Sequence, residues 1–186
     1  MDTTLLERCY LESKIVMRGD YPYFINSISD ANPEVTKELL DEITDNIISV
    51  ADLDCDLILA PEAMGIQYAT ALTLRTGIPF KVIRKRNPLL DDEILFNTST
   101  GYSKSDMLLS NTEPGTRVAI VDDVVSTGGT LKGLVKILKD NGLVVTEIIT
   151  ILNKSKDLDG LSKEIGVPIR YLIKVAVKDG KPVILR

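Results

Sequence analysis

The sequence predicts an α/β fold, a mostly parallel twisted sheet with helices on both faces. Three observations carry this reading. The runs Leu57-Ile58-Leu59-Ala60 and Val118-Ala119-Ile120-Val121 have the shortness and unbroken apolarity of strands buried on both faces. Between such runs lie stretches with apolar residues at helical spacing. Gly, Pro and Asn-Gly stand where one element gives way to the next.

The elements follow in order. Asn32 reads as an N-cap and Pro33 as a first helical residue; Val35, Leu39, Leu40, Ile43, Ile47, Ile48 and Ala51 then follow on one helical face. The first buried strand stops at Pro61, residues 66–75 read as the helix after it, and Gly77 ends that helix. Pro79 opens a strand through Val82 and Ile83. After the strand at residues 118–121 come a polar, Gly-rich turn and a helix with Leu131, Leu134, Val135 and Leu138 as its apolar set, stopped by Asn141-Gly142. Residues 143–152 and 170–177 give two further strands. In such sheets ligands bind beyond the carboxyl ends of the strands, which directs attention to the segments after Ala60, Ile83 and Val121. Residues 87–116 fit neither period. Two compatible readings stand for them: a mobile, lid-like arm, and a β-hairpin packed on the sheet edge.

With 186 residues, 44% of them hydrophobic, and with no repeat or linker to split it, the chain reads as one domain over residues 1–186. The absence of histidine removes Ser-His-Asp and Cys-His catalysis and imidazole-ligated zinc. A net charge of −5 argues against nucleic acid as a partner. Cys9 and Cys55 form no C-x-x-C pattern, so no disulfide framework or thiolate metal site is indicated. The N-terminal Met1-Asp2-Thr3-Thr4 is acidic where a signal peptide would be basic, and no apolar run approaches the ~20 residues that span a bilayer. The expectation is a cytoplasmic protein with no membrane partner.

The chemistry concentrates in Val121-Asp122-Asp123-Val124-Val125-Ser126-Thr127-Gly128-Gly129-Thr130. The turn offers backbone N–H groups, the hydroxyls of Ser126, Thr127 and Thr130, and a helix N-terminal dipole, together suited to a phosphate monoester. It is not the ATP-type loop, which needs a Gly-Lys-[Ser/Thr] ending. Acids beside a phosphate cup would repel the ligand unless they met something else on it. Vicinal sugar hydroxyls donate to ionised carboxylates, and phosphate plus diol at that separation describe a ribose 5-phosphate.

This segment resembles the loop of the class I phosphoribosyltransferases that binds phosphoribosyl pyrophosphate. Ala60-Pro61-Glu62-Ala63-Met64-Gly65, Val82-Ile83-Arg84-Lys85-Arg86, Thr100-Gly101-Tyr102-Ser103-Lys104 and Arg18-Gly19-Asp20-Tyr21 extend the likeness over most of the chain, toward the archaeal hypoxanthine/guanine phosphoribosyltransferases, a branch similar to the adenine enzymes. The resemblance implies that fold, with a flexible loop and a small hood from the N- and C-terminal segments. It implies transfer of ribose 5-phosphate from phosphoribosyl pyrophosphate to hypoxanthine or guanine, with Mg²⁺, in a cytoplasmic homodimer acting in purine salvage. Asp122 and Asp123 would hold the ribose hydroxyls and serve catalysis, and Ser126, Thr127, Gly128, Gly129 and Thr130 the 5-phosphate. Glu62, Ala63, Met64, Gly65, Arg84, Lys85, Arg86 and Lys104 would meet pyrophosphate, and Mg²⁺ would take no direct protein ligand.

Ser126 stands where the bacterial and animal hypoxanthine-guanine enzymes carry an aspartate proposed as the base near purine N7, so the loop holds no obvious general base. Residues 1–32 form a candidate base-pocket segment. Its Tyr21, Tyr23 and Phe24 either stack on the purine or pack that segment onto the sheet. Alternatives within the same chemistry are adenine, xanthine or orotate as acceptor. A regulator that senses phosphoribosyl pyrophosphate without catalysis is a different class.

Overall fold

The computed structural model describes residues 2–19, 21–84, 94–99, 104–109 and 112–186. Helix α1 (Thr4–Leu11) leads into the hairpin β1 (Lys14–Arg18) and β2 (Tyr21–Ile25), then a single-turn α2 (Ser27–Asp30) and the long α3 (Lys37–Val50). Next come β3 (Leu57–Pro61), α4 (Gly65–Thr76), β4 (Phe80–Ile83) and the hairpin β5 (Ile94–Ser99) and β6 (Lys104–Leu109). The C-terminal half runs β7 (Arg117–Val125), α5 (Gly129–Asp140), β8 (Val144–Asn153), α6 (Leu158–Ile165), β9 (Ile169–Lys178) and β10 (Lys181–Leu185).

The central sheet has the order β10-β9-β8-β7-β3-β4; all neighbours are parallel except the β10–β9 pair at one edge. Its inner strands β3, β7 and β8 are buried on both faces over most of their length, as their continuous apolar runs require. Ile58, Ala60, Ala119, Val121 and Ile149 turn to one face, where α3, α4 and the N-terminal elements pack with Tyr10, Phe24, Ile43, Ile47, Tyr68 and Leu72. Leu57, Leu59, Val118, Ile120 and Ile148 turn to the other, under α5 and α6, with Leu131, Leu134, Leu138 and Leu161.

Several expectations shift. The long helix does not begin at Asn32-Pro33. Thr36, in extended conformation, accepts a hydrogen bond from the Leu39 N–H at 3.3 Å and so caps α3 at Lys37, leaving residues 33–36 non-helical. Strand β7 does not end at Val121. Val124 and Val125 carry it on beside Leu152 and Asn153 of β8, with Val125 only 1% exposed. Residues 94–109 contain the hairpin alternative, an antiparallel ladder from Ile94↔Leu109 to Ser99↔Lys104. The pair forms its own two-stranded sheet, with β5 alongside α5 and β6 alongside β4. Its tip, residues 100–103, lies outside the described residues, as do Lys85 and Arg86.

Two carboxylates hold the N-terminal layer. Glu42 on α3 accepts from the Leu5 and Leu6 N–H groups at 3.0 and 2.8 Å, pinning the start of α1. Glu147 on β8 is nearly sealed, with 3% of its side chain exposed. It accepts from the Leu53 N–H at 2.7 Å, the Asp52 N–H at 3.3 Å and Arg170 Nε at 3.0 Å, fixing the connection that feeds β3. Leu53 has φ +50, a left-handed conformation that a branched residue takes up only when its surroundings determine it. Glu147→Ala is therefore expected to cost about 2–4 kcal/mol, by leaving two N–H groups and a guanidinium without their acceptor. Arg170→Ala removes the half-exposed partner and should cost less than half as much, a difference readable as the urea midpoint of each variant.

Candidate active site

Strand β3 pairs with its successor β4 on one side and with β7 on the other, whereas β7, β8 and β9 extend the sheet the opposite way. The order of growth reverses between β3 and β7, and a crevice opens beyond their carboxyl ends. Three segments meet there: the turn after Pro61, the end of β4, and residues 122–130.

Asp122 and Asp123 lie inside the last part of β7, with Asp122 opposite Thr150. The Asp123 N–H donates to Asp122 Oδ1 at 2.9 Å. Burial first, and then the neighbouring Asp122 carboxylate, push the Asp123 carboxyl well above its ordinary value. Buried Tyr68 of α4 lies behind the pair; its hydroxyl donates to the Ile28 carbonyl at 2.8 Å. Its ionisation is pushed well up by burial and then by the charge of Asp123.

Beyond Val125 the chain turns through Ser126, Thr127 and Gly128 into α5. Gly128 is the N-cap residue with φ +77, so no side chain caps the helix, and its first turn carries no acid. The N–H groups of that turn and the helix dipole face the crevice end of the sheet, an arrangement suited to an anion. Ser126 and Thr130 are half-buried and Thr127 is exposed. Tyr21 of the N-terminal hairpin donates its hydroxyl to Ser126 Oγ at 3.3 Å, so the hairpin reaches the loop directly.

The turn after β3 is held from both sides. Glu62 N–H donates to the Ile83 carbonyl of β4 at 2.9 Å, and the Glu62–Ala63 peptide is cis. At Gly65 an added Cβ would stand 2.6 Å from the Val121 carbonyl oxygen, so glycine is required for α4 to start against β7 one residue before Asp122. Sequence reasoning placed this glycine for access to a ligand; the structure shows a packing demand as well. Arg84 is exposed at the end of β4, beside this turn. Lys104 opens β6 opposite Ser99, and its side chain, with those of Lys85 and Arg86, lies outside the described residues.

Of the aromatic residues, Phe24 is 4% exposed and packs edge-on to Tyr10 with ring centroids 5.4 Å apart, as the packing alternative required. Tyr23 donates to Asp30 at 2.7 Å and carries the Arg18 guanidinium 4.3 Å above its ring. Tyr21 faces the loop. The residue that sequence reasoning missed is Lys154, the first after β8. Its N–H donates to the Val125 carbonyl at 2.8 Å, and its Nζ donates to the Pro22 carbonyl at 2.6 Å while lying 3.8 Å from the centre of the Tyr21 ring. The signal was present, since the rule that selected the ends of other strands selects this one too.

Among the described residues no group of three or more His, Cys, Asp or Glu side chains is placed to hold a metal ion, and no helix is long and apolar enough to cross a membrane. The Asp122–Asp123 pair is nonetheless a concentration of hard oxygen donors, which fits a cation held largely by a ligand's own oxygens. Within the fold the pair works against stability. Asp123 binds its proton more tightly folded than unfolded, so stability falls as pH rises from the ordinary aspartate value of 3.8 through the raised one. Asp123→Asn should melt above the wild type at pH 7, by about 2–4 °C for each kcal/mol relieved, and the gap should close toward pH 4. Scanning calorimetry across that range checks both the sign and the window.

A phosphoribosyl transferase domain model matches residues 30–179. The chain is similar to a hypoxanthine/guanine phosphoribosyltransferase of Methanohalophilus mahii, 45% identical over 175 residues, which cover 94% of this chain and 92% of that one. It is also similar to the protein of that description from Methanosalsum zhilinae, 42% identical, with 97% and 96% covered. Among solved structures, an adenine phosphoribosyltransferase of Thermoanaerobacter pseudethanolicus superposes with TM-score 0.73 at 25% identity, covering 91% of this chain and 99% of that one.

Proposed function

The chain belongs to the phosphoribosyl transferase family, and from that premise we propose that it is a purine salvage enzyme that transfers ribose 5-phosphate from phosphoribosyl pyrophosphate to hypoxanthine or guanine. The bond from the sugar C1 to the pyrophosphate oxygen breaks, a bond from C1 to a purine ring nitrogen forms, and the nitrogen's proton leaves to solvent. IMP or GMP and pyrophosphate result. The observation that carries the reading is the pair Asp122 and Asp123, set one turn ahead of an uncapped helix N-terminus where the sheet reverses its order.

The ribose hydroxyls donate to Asp122 and Asp123, which satisfies two crowded acceptors, and the 5-phosphate takes the N–H groups and hydroxyls of residues 126–130. As the C1–oxygen bond stretches, positive charge grows on the sugar and negative charge on pyrophosphate. The two carboxylates lie on the side that gains positive charge. Glu62, Ala63, Met64 and Gly65 offer backbone to pyrophosphate, with Arg84, Lys85, Arg86 and Lys104 as its cationic partners. Bound mainly by the substrate's own oxygens and water, with no direct protein ligand, Mg²⁺ would supply charge neutralisation for the leaving group. Tyr21 and Tyr23 shape the base side, with Phe24 packed into the core beneath them. Ser126, engaged with Tyr21, is no general base, so the purine's proton passes to water.

Lys154 supports a six-oxo purine. An ammonium group donates and never accepts, so it complements a carbonyl oxygen and opposes an amino group. The likeness to adenine enzymes favours adenine as the second reading, but it is a likeness of fold at lower identity. We place the enzyme in the cytoplasm, as a homodimer.

The test is an assay of hypoxanthine, guanine, xanthine, adenine and orotate with phosphoribosyl pyrophosphate and Mg²⁺. Hypoxanthine should exceed adenine in kcat/KM by up to ~10⁴-fold. Lys154→Met should lower the hypoxanthine value by about 10²-fold while moving the adenine value far less. A preference for adenine would overturn the specificity, and binding of phosphoribosyl pyrophosphate with no transfer to any base would favour a regulator. The Asp122→Asn, Asp123→Asn double variant should fold and lose at least about 10³-fold in kcat.

A further inference from the structure

Gly128 is buried although it begins the exposed polar loop, and what buries it is α6. A Cβ at Gly128 would lie 2.4 and 2.5 Å from the two methyl carbons of Leu161 and 3.0 Å from its Cγ. Leu161, 7% exposed, thus occupies the volume in which any other residue at 128 would carry its side chain. The helix behind it is firmly set. Asp157 caps it by accepting from the Gly160 N–H at 2.8 Å, and Gly166 ends it in the left-handed conformation. It docks on α5 through the Lys132–Glu164 ion pair at 2.6 Å and through Lys139 Nζ donating to the Ile165 carbonyl at 3.1 Å.

A loop that turns through glycine with φ +77 has little stiffness of its own, because glycine loses more freedom on ordering than any other residue. Its N–H groups can receive a phosphate without reorganising only if something outside the loop holds it. Residues 126–130 have the open crevice on one side and Leu161 against Gly128 on the other.

We infer that Leu161 is a positioning residue for the 5-phosphate cup: its side chain backs Gly128 and holds the loop N–H groups in their phosphate-binding arrangement without touching the ligand. This rests on the phosphoribosyl-transfer reading above. Truncating the side chain leaves a cavity behind the loop, and a glycine turn is the part of the surroundings freest to relax into it. The cost falls on whichever substrate carries the phosphate.

Steady-state kinetics on Leu161→Ala, with Leu158→Ala as the comparison, test this. Leu158 lies on the same helix and in the same apolar cluster, is equally buried at 9% exposure, and is not among the atoms nearest Gly128. Both variants should lose thermal stability. Leu161→Ala alone should raise the KM for phosphoribosyl pyrophosphate by about tenfold or more, with the KM for hypoxanthine within about twofold of wild type. Leu161→Met, of similar volume, should restore the wild-type value to within about twofold. A KM for phosphoribosyl pyrophosphate unchanged in Leu161→Ala, or raised equally in Leu158→Ala, overturns the assignment. If Leu161→Ala does not accumulate folded, Leu161→Val takes its place, with a rise of about threefold expected and no rise overturning. A wild type that transfers to no base would sink the transfer reading alone. The dissociation constant of ribose 5-phosphate, by calorimetry, then carries the Leu161 comparison, with a tenfold weakening or its absence deciding as before.

Discussion

Because β3 pairs with β4 on one side and β7 on the other, every ligand-facing segment is fixed by where those two strands stop. The chain leaves β3 at Pro61 and must start α4 by Gly65, within reach of β7, and the Val121 carbonyl leaves no room there for a side chain. The turn after β3 and the acids on β7 lie a single strand spacing of roughly 5 Å apart, so on the proposed reading the β3–β7 register would set the separation between leaving group and sugar. The apolar runs that bury both faces of these strands set that register, which makes the core the source of the site's geometry.

On that frame the charges at residues 122 and 123 are arranged against the stability of the fold. A chain of net charge −5 sets two of its 27 acids side by side on a strand end, where burial already disfavours ionisation. Glu147 shows how the same fold treats a carboxylate meant for stability: it is given N–H donors and a guanidinium. At the Asp122–Asp123 pair the Asp123 N–H donates to Asp122 Oδ1, and backbone N–H groups lower the Asp123 carboxyl less than burial and the Asp122 charge raise it. A buried acid whose ionisation is held well up beside a second carboxylate fits a group placed for a ligand rather than for the fold.

The parts of this molecule legible in the sequence are those whose cause is local. The buried strands β3, β7 and β8 showed as apolar runs, β10 was not read at all, and residues 126–130 showed their chemistry because a helix start, two glycines and three hydroxyls are a short-range pattern. The start of α3 was misread since Asn32-Pro33 offers the same signal as Thr36, and only the bond to Leu39 distinguishes them. The hairpin of β9 and β10 could have been found from Asp179-Gly180, both at positive φ. Lys154 and Leu161 belong to a different category. A lysine after a strand and a leucine in a short helix are unremarkable until Tyr21 and Gly128, far away in sequence, are brought against them.

Both of those residues lie on the connection that leaves β8, and this has a mechanical consequence. Asn153 accepts from the Ser155 N–H and hydroxyl at 2.9 and 2.6 Å, a buried turn that fixes the chain between Lys154 and α6. Lys154 reaches the N-terminal hairpin at Pro22 and Tyr21; Tyr21 reaches Ser126; and α6 backs Gly128. A closed circuit therefore runs from β8 through the hairpin to the phosphate loop and back through α6. The hairpin has no ladder to the central sheet, so these contacts are what tie it to the loop. On the proposed reading, a purine entering beside Tyr21 would meet a wall whose position is set through the contact with Ser126, so packing would align the two halves of the reaction before either substrate arrives.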